Sequence, residues 1–174
     1  MEFFDAVQHR RSVRKFKPGE VSDGDVAKIL EAGRVAPSGC NMQNREFIVI
    51  RDPDTIAKLG EVQNSFENVP VVIAVVMSPT ATSFGSYWVE DCAACVENML
   101  LAIAALGHAS VWVEGTLLIK EDAIKELLGV PDELRLYVLL PVGHPAEPGE
   151  QAAKKPFDEI VHYETYGNQK PPIV

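Results

Sequence analysis

The chain lacks the sequence signatures that would assign it a chemistry at once. Its 174 residues contain no G-x-G-x-x-G, no G-x-x-x-x-G-K-[ST] and no G-x-S-x-G. Neither a Rossmann fingerprint, a P-loop nor a nucleophile elbow is therefore present. The histidines, His9, His108, His144 and His162, are scattered without the spacing of metal ligands. If the chain is an enzyme, a bound organic cofactor is the natural carrier of its reactivity.

Cysteine is scarce as well. Cys40, Cys92 and Cys95 are too few and too unevenly placed for a disulfide framework. Cys92 and Cys95 form a C-x-x-C, which signals redox or metal chemistry when a loop presents it. Here the motif lies inside a strong helical run without a second pair of metal-ligating residues. We interpret both cysteines as small core residues.

Long apolar runs and net positive charge are also missing. The apolar stretches fall short of a membrane span, and Met1 to Asp5 lack the cationic start of a signal peptide. We therefore expect a cytoplasmic protein with no membrane partner. A formal net charge of −9 argues against nucleic acid as a partner. The length predicts a single domain over residues 1–174, whose core needs neither disulfides nor a structural metal.

One segment is strongly basic despite this acidic background. His9 to Lys17 holds five of the sixteen Lys and Arg residues. If the segment is extended, Arg10, Ser12 and Arg14 share one face, because strand side chains alternate with a period of two. Two guanidinium groups and a hydroxyl would then converge on one anion, and the arginine fork suits phosphate oxygens. A solvated basic turn after a helix is the alternative.

Hydrophobic periodicity and turn residues predict both helices and strands. The predicted helices span 3–9, 22–35, 55–62, 87–106 and 120–128, and the predicted strands span 47–50, 69–77, 110–113 and 134–142. The 87–106 helix is apolar almost all round, so it should lie in the core or at a subunit interface. A linker at 146–155 leads to an apolar stretch too short to fold alone. That stretch should pack as an arm, and a second subunit is one candidate for its partner.

Five short motifs occur in order along nearly the whole chain: Arg10 to Phe16, Ala36 to Gln43, Glu114-Gly115, Pro141 to Pro145, and Lys154 to Pro156. Each is weak alone, but together they resemble the FMN-dependent nitroreductase family. The resemblance implies an α+β fold in which helices flank a mostly antiparallel central sheet. It also implies an intertwined homodimer with FMN at the interface and a C-terminal arm, about 157–174, exchanged onto the partner.

The resemblance also assigns roles to residues of the basic segment. Arg10, Arg11 and Ser12 match the segment that binds FMN through its phosphate and polar edge. Arg14 matches a cation near N1 and O2 of the flavin ring, and we assign it a catalytic role. A fixed positive charge there would stabilise the reduced flavin, which tends toward an anion at N1.

Later motifs complete the expected site. Glu114 and Gly115 match the turn whose backbone approaches flavin N5, and we assign both a catalytic role alongside Arg14. Glycine permits that close approach. Lys154 matches a late cation on the phosphate, with Lys155 as its neighbouring alternative. The resemblance also implies a loop that the other subunit contributes to the site, and its matching residues are Pro37, Ser38, Gly39 and Asn41. Gln63 or Asn64 is a further candidate flavin contact, and Asn44-Arg45 replaces a Pro-Trp common in the family. Taken singly, these motifs could also be a helix exit, a plain turn and a solvated linker.

Together these assignments predict an FMN-dependent oxidoreductase with NADH or NADPH as co-substrate. Hydride would pass through flavin N5 to a small acceptor, such as a nitroaromatic or quinone, in a ping-pong cycle. Reductive dehalogenation or flavin destruction on the same fold is the alternative reaction. Two alternatives from other classes are a protein that binds FMN without turnover and a dimer without cofactor.

Overall fold

The structure is a computed structural model that describes residues 1–147 and 149–169. Its helices are α1 (Phe3–His9), α2 (Asp23–Arg34), α3 (Pro53–Leu59), α4 (Trp88–Ala105), α5 (Gly115–Ile119), α6 (Glu121–Leu128) and α7 (Phe157–Ile160), with a 3₁₀ turn at Gly39–Asn41. Its strands are β1 (Phe16–Lys17), β2 (Arg45–Ile50), β3 (Val71–Met77), β4 (Arg135–Val142) and β5 (His144–Pro145). Of the predicted arm, residues 170–174 lie outside the described residues.

The central sheet has the strand order β2-β3-β4 and is antiparallel at both pairings. Strand β3 is buried along its whole length, and its alternate side chains enter two separate cores. Helices α2 and α4 cover one face of the sheet, and α3, α5 and α6 cover the other. Because both faces are covered, β3 reads in the sequence as one continuous apolar run.

The predicted strand at 110–113 is corrected by the structure to an extended edge segment without a regular ladder. Ala109 bridges Gly143 and Val113 bridges Leu139, both antiparallel to β4. In this register Pro141 lies midway between the bridges and has no N–H to continue the ladder. On its other side the segment bridges the basic region, since Ser110 pairs with Ser12 in parallel.

Two predicted helices are confirmed together with the reasons for their placement. Helix α2 begins after Ser22, whose Oγ accepts the Asp25 N–H at 3.1 Å. Helix α4 buries Cys92 and Cys95 completely, so the C-x-x-C lies in the core as expected. None of the helices in the described ranges has the length and apolarity that crossing a membrane would need.

Two short helices, α5 and α7, were not predicted from the sequence, and a third was predicted with different bounds. The helix predicted at 55–62 begins earlier, at Pro53, because Asp52 caps it by accepting the Thr55 N–H at 2.8 Å. It also ends earlier, at Leu59.

Candidate functional site

The basic segment leaves α1 and runs beside the edge segment of the sheet. Val13 N–H donates to the Ser110 carbonyl at 2.9 Å. Ser12 and Arg14 are exposed, whereas Arg11 and Val13 are partly buried, so side chains alternate as predicted. Arg10 belongs to the end of α1 instead, and its Nε lies 3.4 Å from Glu97 Oε1 on α4.

Arg10 and Arg11 line an inner cavity of about 210 Å³ between the end of α1, the C-terminal half of α4 and the edge segment. Three buried polar atoms of its lining residues have no hydrogen-bond partner within the described chain: Arg11 Nε, His108 Nδ1 and Ser110 Oγ. Arg11 Nη1 is engaged with the carbonyls of Gln8 and Arg10. Buried polar groups are almost always paired, so a polar ligand or ordered water would complete the hydrogen bonding of these three atoms.

Ser12 and Arg14 lie outside this cavity, in an open cleft of about 320 Å³. The cleft also holds Lys15, Glu147 and Glu150. Arg14 makes no ion pair with any residue that the structure describes, whereas Lys15 lies 3.6 Å from Glu147. The Arg10 and Arg14 side chains therefore line neighbouring spaces rather than one.

Glu114 and Gly115 lie at the far end of the edge segment, where α5 begins. The Glu114 carboxylate accepts the Trp112 Nε1–H at 2.7 Å. Burial, together with the neighbouring Glu114 carboxylate, raises the pKa of Tyr137 to about 12. A Cβ at Gly115 would meet no atom within 4 Å, so the backbone there faces open space. Glu114 follows Ser110 by four positions along an extended stretch, a span of at most about 14 Å.

Gln63 and Asn64 lie near the Gly115 end of the edge segment. The Thr116 hydroxyl, next to Gly115, donates to Gln63 Oε1 at 3.2 Å. Both Gln63 and Asn64 line a cavity of about 620 Å³ beside α3. The edge segment thus connects a small polar cavity near Ser110 with an open, amide-lined region near Gly115, an arrangement that suits an elongated ligand with one anionic end.

The loop with the predicted contacts from the other subunit lies elsewhere, at the N-terminal end of α4. The Gly39 N–H donates to the buried Asp91 carboxylate at 2.7 Å. Arg45 braces the same loop by donating to the carbonyls of Pro37 at 3.1 Å and Arg34 at 3.3 Å, and also to Ala36. These hydrogen bonds give Arg45 a structural role at the loop.

This loop and the inner cavity lie apart along α4. The cavity-lining residue of α4 nearest to Asp91 is Leu100, nine residues later and about 14 Å along the helix axis. Pro37 and Asn41 are exposed, and Ser38 and Gly39 are partly buried. Within one copy of the chain, none of these four loop residues lines the inner cavity or the open cleft.

Lys154 and Lys155 are exposed and line neither the inner cavity nor the open cleft. The sequence analysis missed His108, Ser110 and Asp91, because a buried polar role depends on distant residues and has no local signal. No group of three or more His, Cys, Asp or Glu side chains placed to hold a metal occurs in residues 1–147 and 149–169.

The fold and the sequence identify the family. The family model described as "Nitroreductase family" matches residues 7–67 and 62–144. The chain is 34% identical over 152 residues to the "Putative NADH dehydrogenase/NAD(P)H nitroreductase" of Archaeoglobus fulgidus, covering 84% of this chain and 87% of that protein. It is 30% identical over 172 residues to the protein of the same name from Methanothermobacter thermautotrophicus, covering 95% and 88%.

Two further proteins similar to this chain have names other than nitroreductase. A BluB-like flavoprotein of Clostridium difficile 630 superposes with a TM-score of 0.85 at 25% identity, covering 95% of this chain and all of that one. The iodotyrosine deiodinase of Nematostella vectensis is 25% identical over 196 residues, covering 92% of this chain and 74% of that protein.

The chain is an α+β protein with an antiparallel sheet flanked by helices, as predicted. It belongs to the nitroreductase family. The prediction of an oxidoreductase enzyme is confirmed with it.

Proposed function

We propose that the chain is an FMN-dependent oxidoreductase that uses NADH or NADPH and reduces a small acceptor such as a nitroaromatic or a quinone. The observation that carries the proposal is the inner cavity, where Arg11 Nε and Ser110 Oγ are buried without a partner among the described residues. A guanidinium N–H and a hydroxyl are donors that suit a phosphate. Bound FMN would supply the chemistry, taking hydride from reduced nicotinamide at N5 and delivering it to the acceptor.

At the phosphate end, the chain's own residues bind and orient. Arg11 Nε–H and the Ser110 hydroxyl would donate to phosphate oxygens, and Arg10 adds positive charge that Glu97 partly offsets. Lys154 or Lys155 remains a candidate for a further phosphate cation, because neither is committed to the two spaces described. Ser12 lies on the exposed side of the same segment, where the polar edge of the cofactor would run.

At the ring end, the charge of Arg14 and the backbone at Gly115 would contact the flavin. Arg14 is exposed and makes no ion pair with a described residue, so its charge is available to the N1 and O2 side of the ring. Gly115 leaves open space in front of its backbone. The hydrogen bond from Trp112 holds Glu114, which fixes the turn at which the backbone would approach N5. Neither role requires a nucleophilic side chain, since position and electrostatics suffice.

A homodimer would complete the site. The Pro37–Asn41 loop lines neither the inner cavity nor the open cleft of its own chain, so it would reach the flavin of a second copy rather than its own. Large apolar side chains are exposed at both ends of the chain: Phe3, Phe4, Phe157, Ile160 and Tyr166. Such exposure supports a subunit interface and an exchanged C-terminal arm attached to a single domain.

Reductive dehalogenation is the second candidate reaction. The likeness to an iodotyrosine deiodinase favours it, because the same cofactor and fold could reduce a halogenated phenol. Both reactions would use the same phosphate and ring contacts. They differ in the acceptor alone.

Anaerobic mixing of the purified protein with NADH or NADPH tests the proposal. Bleaching of a flavin spectrum, followed by reoxidation with a nitroaromatic or quinone, is the expected result. Reoxidation by an iodinated phenol but not by these acceptors would select dehalogenation. A bound flavin that no nicotinamide bleaches would indicate an FMN-binding protein. A protein that stays colourless with added FMN would refute the proposal.

A further inference from the structure

A histidine and an aspartate form a pair beside the inner cavity. His108, which follows α4, places Nε2 3.1 Å from Asp25 Oδ2 on the first turn of α2, and the His108 side chain is only 8% exposed. Lys28 Nζ lies 3.2 Å from the other carboxylate oxygen. The contact with His108, followed by that with Lys28, holds the pKa of Asp25 below its ordinary value. The carboxylate is thus kept charged next to the imidazole.

The other imidazole nitrogen of His108 is buried and unpaired. His108 lines the inner cavity together with Ser110, two residues later in an extended segment, so both side chains are on one face. His108 Nδ1, Ser110 Oγ and Arg11 Nε are the three partnerless buried atoms of this cavity within the described chain. About 210 Å³ is below the roughly 300–1,000 Å³ that holds a whole organic ligand. The cavity therefore suits one end of a ligand.

We infer that the Asp25–His108 pair is part of the phosphate site, with His108 as a direct ligand and Asp25 as its positioning residue. With Asp25 accepting from Nε2–H, the imidazolium form can donate Nδ1–H to a phosphate oxygen. Ser110 O–H and Arg11 Nε–H complete the set of donors. The ligand class is a phosphate monoester, and the inference rests on the proposed function in taking FMN as its source.

The electrostatic surroundings of His108 are mixed. The charged or titratable groups around it come from α1, the basic segment, α2 and β5: His9, Arg10, Arg11, Asp25, Lys28 and His144. His144 is in edge contact with the His108 ring, at 5.1 Å between centroids, but it is not among the cavity-lining residues. Its Nε2 lies 2.9 Å from the Glu20 carbonyl, so it is committed elsewhere and provides a matched control.

Binding titrations of the flavin-free chain test the assignment. We compare FMN with riboflavin, which lacks the phosphate, by quenching of flavin fluorescence. His108→Leu and Asp25→Asn should each lower the affinity for FMN by about tenfold to a hundredfold, the loss of one charge-assisted hydrogen bond. Riboflavin affinity should stay within about twofold, and His144→Gln should keep the wild-type ratio. If His108→Leu does not fold, Asp25→Asn decides.

Some outcomes would overturn the inference. Equal losses of FMN and riboflavin affinity would show that the pair serves the fold, and unchanged affinities for both flavins would place His108 outside the phosphate site. A change in the preference for NADPH over NADH, with the flavin ratio unchanged, would assign the phosphate to the nicotinamide cofactor and refute the FMN source.

A separate arm distinguishes this inference from the proposed function. Inorganic phosphate alone should raise the melting temperature of the wild type and of His144→Gln but not of His108→Leu. A wild type that binds neither flavin but gives this pattern would refute the proposed function and keep the anion site. Equal stabilisation of all three proteins by phosphate would refute the anion site.

Discussion

Two arginines of one short segment differ in what surrounds their charge. Arg10 ends a helix, faces Glu97 and lines the inner cavity, whereas Arg14 is exposed in the open cleft and forms no ion pair with a described residue. A charge already paired in the protein changes a ligand's energy less than one that is free. Arg14 is therefore the residue of this segment best suited to affect the electronic state of a bound ring.

Replacing Arg14 with Gln tests this difference. Gln keeps hydrogen-bond donors but removes the charge, so FMN should stay bound while the anionic reduced form loses stabilisation. Since about 30 mV corresponds to 1.4 kcal/mol for a two-electron couple, the midpoint potential should fall by a few tens of millivolts. Redox titration of the flavin-loaded variant measures it. An unchanged potential would make Arg14 a positional anchor or place it outside the site.

The three cysteines also differ in their surroundings, because two are buried and one is exposed. Burial is the main cause that raises the pKa of Cys92 to about 12 and that of Cys95 to about 11, and Cys40 is exposed. At pH 8 the two helical thiols are protonated as well as inaccessible, and only a thiolate reacts readily. Iodoacetamide should leave Cys92 and Cys95 unmodified in the native protein and should modify all three cysteines in denaturant, as counted by mass spectrometry. Modification of Cys92 or Cys95 at the same rate with and without denaturant would contradict the structural interpretation of the C-x-x-C.

At the scale of secondary-structure elements, the sequence predicts the helices and strands that are determined by residues close together in the chain. Helix α2 follows from a serine cap and helical spacing, and β3 from a β-branched run, so both lie close to their predicted bounds. Helix α5 has only five residues and no side-chain cap, and the edge segment is held by distant strands, so neither has a local pattern.

The site follows the same division. The period of two correctly predicts that exposure alternates along Ser12, Val13 and Arg14. Arg10 does not follow this pattern because it is the C-cap residue of α1. His108 and Asp91 owe their surroundings to contacts 83 and 52 residues away in the chain. No window of sequence contains both partners of such a contact.

Asp91 connects α4 to the loop that contains Gly39, so replacing it should lower the stability of the protein. In Asp91→Ala the Gly39 N–H loses its acceptor, which should lower the free energy of unfolding by about 1–3 kcal/mol. Faster hydrogen exchange at the Gly39 amide should accompany the loss. Urea unfolding measures the first effect and NMR the second.

Glu90→Ala is the matched control for Asp91→Ala. Glu90 is exposed in the same first turn of α4, so the favourable effect of negative charge near a helix N-terminus is removed in both variants. An exposed substitution of this kind should change stability by no more than about 0.5 kcal/mol. Equal effects of the two variants would mean that the bond to Gly39 contributes nothing.

At the scale of the whole molecule, both ends of the chain expose large apolar side chains in a single copy. Phe4 is 78% exposed and Tyr166 94% exposed, although both are large apolar side chains. The Pro37–Asn41 loop is braced by Asp91 and Arg45 but faces no partner site within its own chain. A second copy would cover the apolar ends and receive the loop at its flavin, so dimerisation and cofactor binding should be lost together.

Deleting residues from Phe157 onward tests this coupling. The truncated chain should lose FMN and sediment as monomers or aggregates, because the arm removes apolar surface from water only when it packs on a partner. A milder variant, Phe157→Ser with Ile160→Ser, should weaken the dimer in the same direction, since both side chains are more than half exposed in the single chain. Asp158→Ser with Glu159→Ser alters the same four-residue helix without removing apolar surface, so it should stay a yellow dimer. Sedimentation velocity with detection at the flavin absorbance reports subunit mass and cofactor together. If the truncated chain sediments as a flavin-loaded dimer, the arm is not exchanged and the subunits associate through another surface.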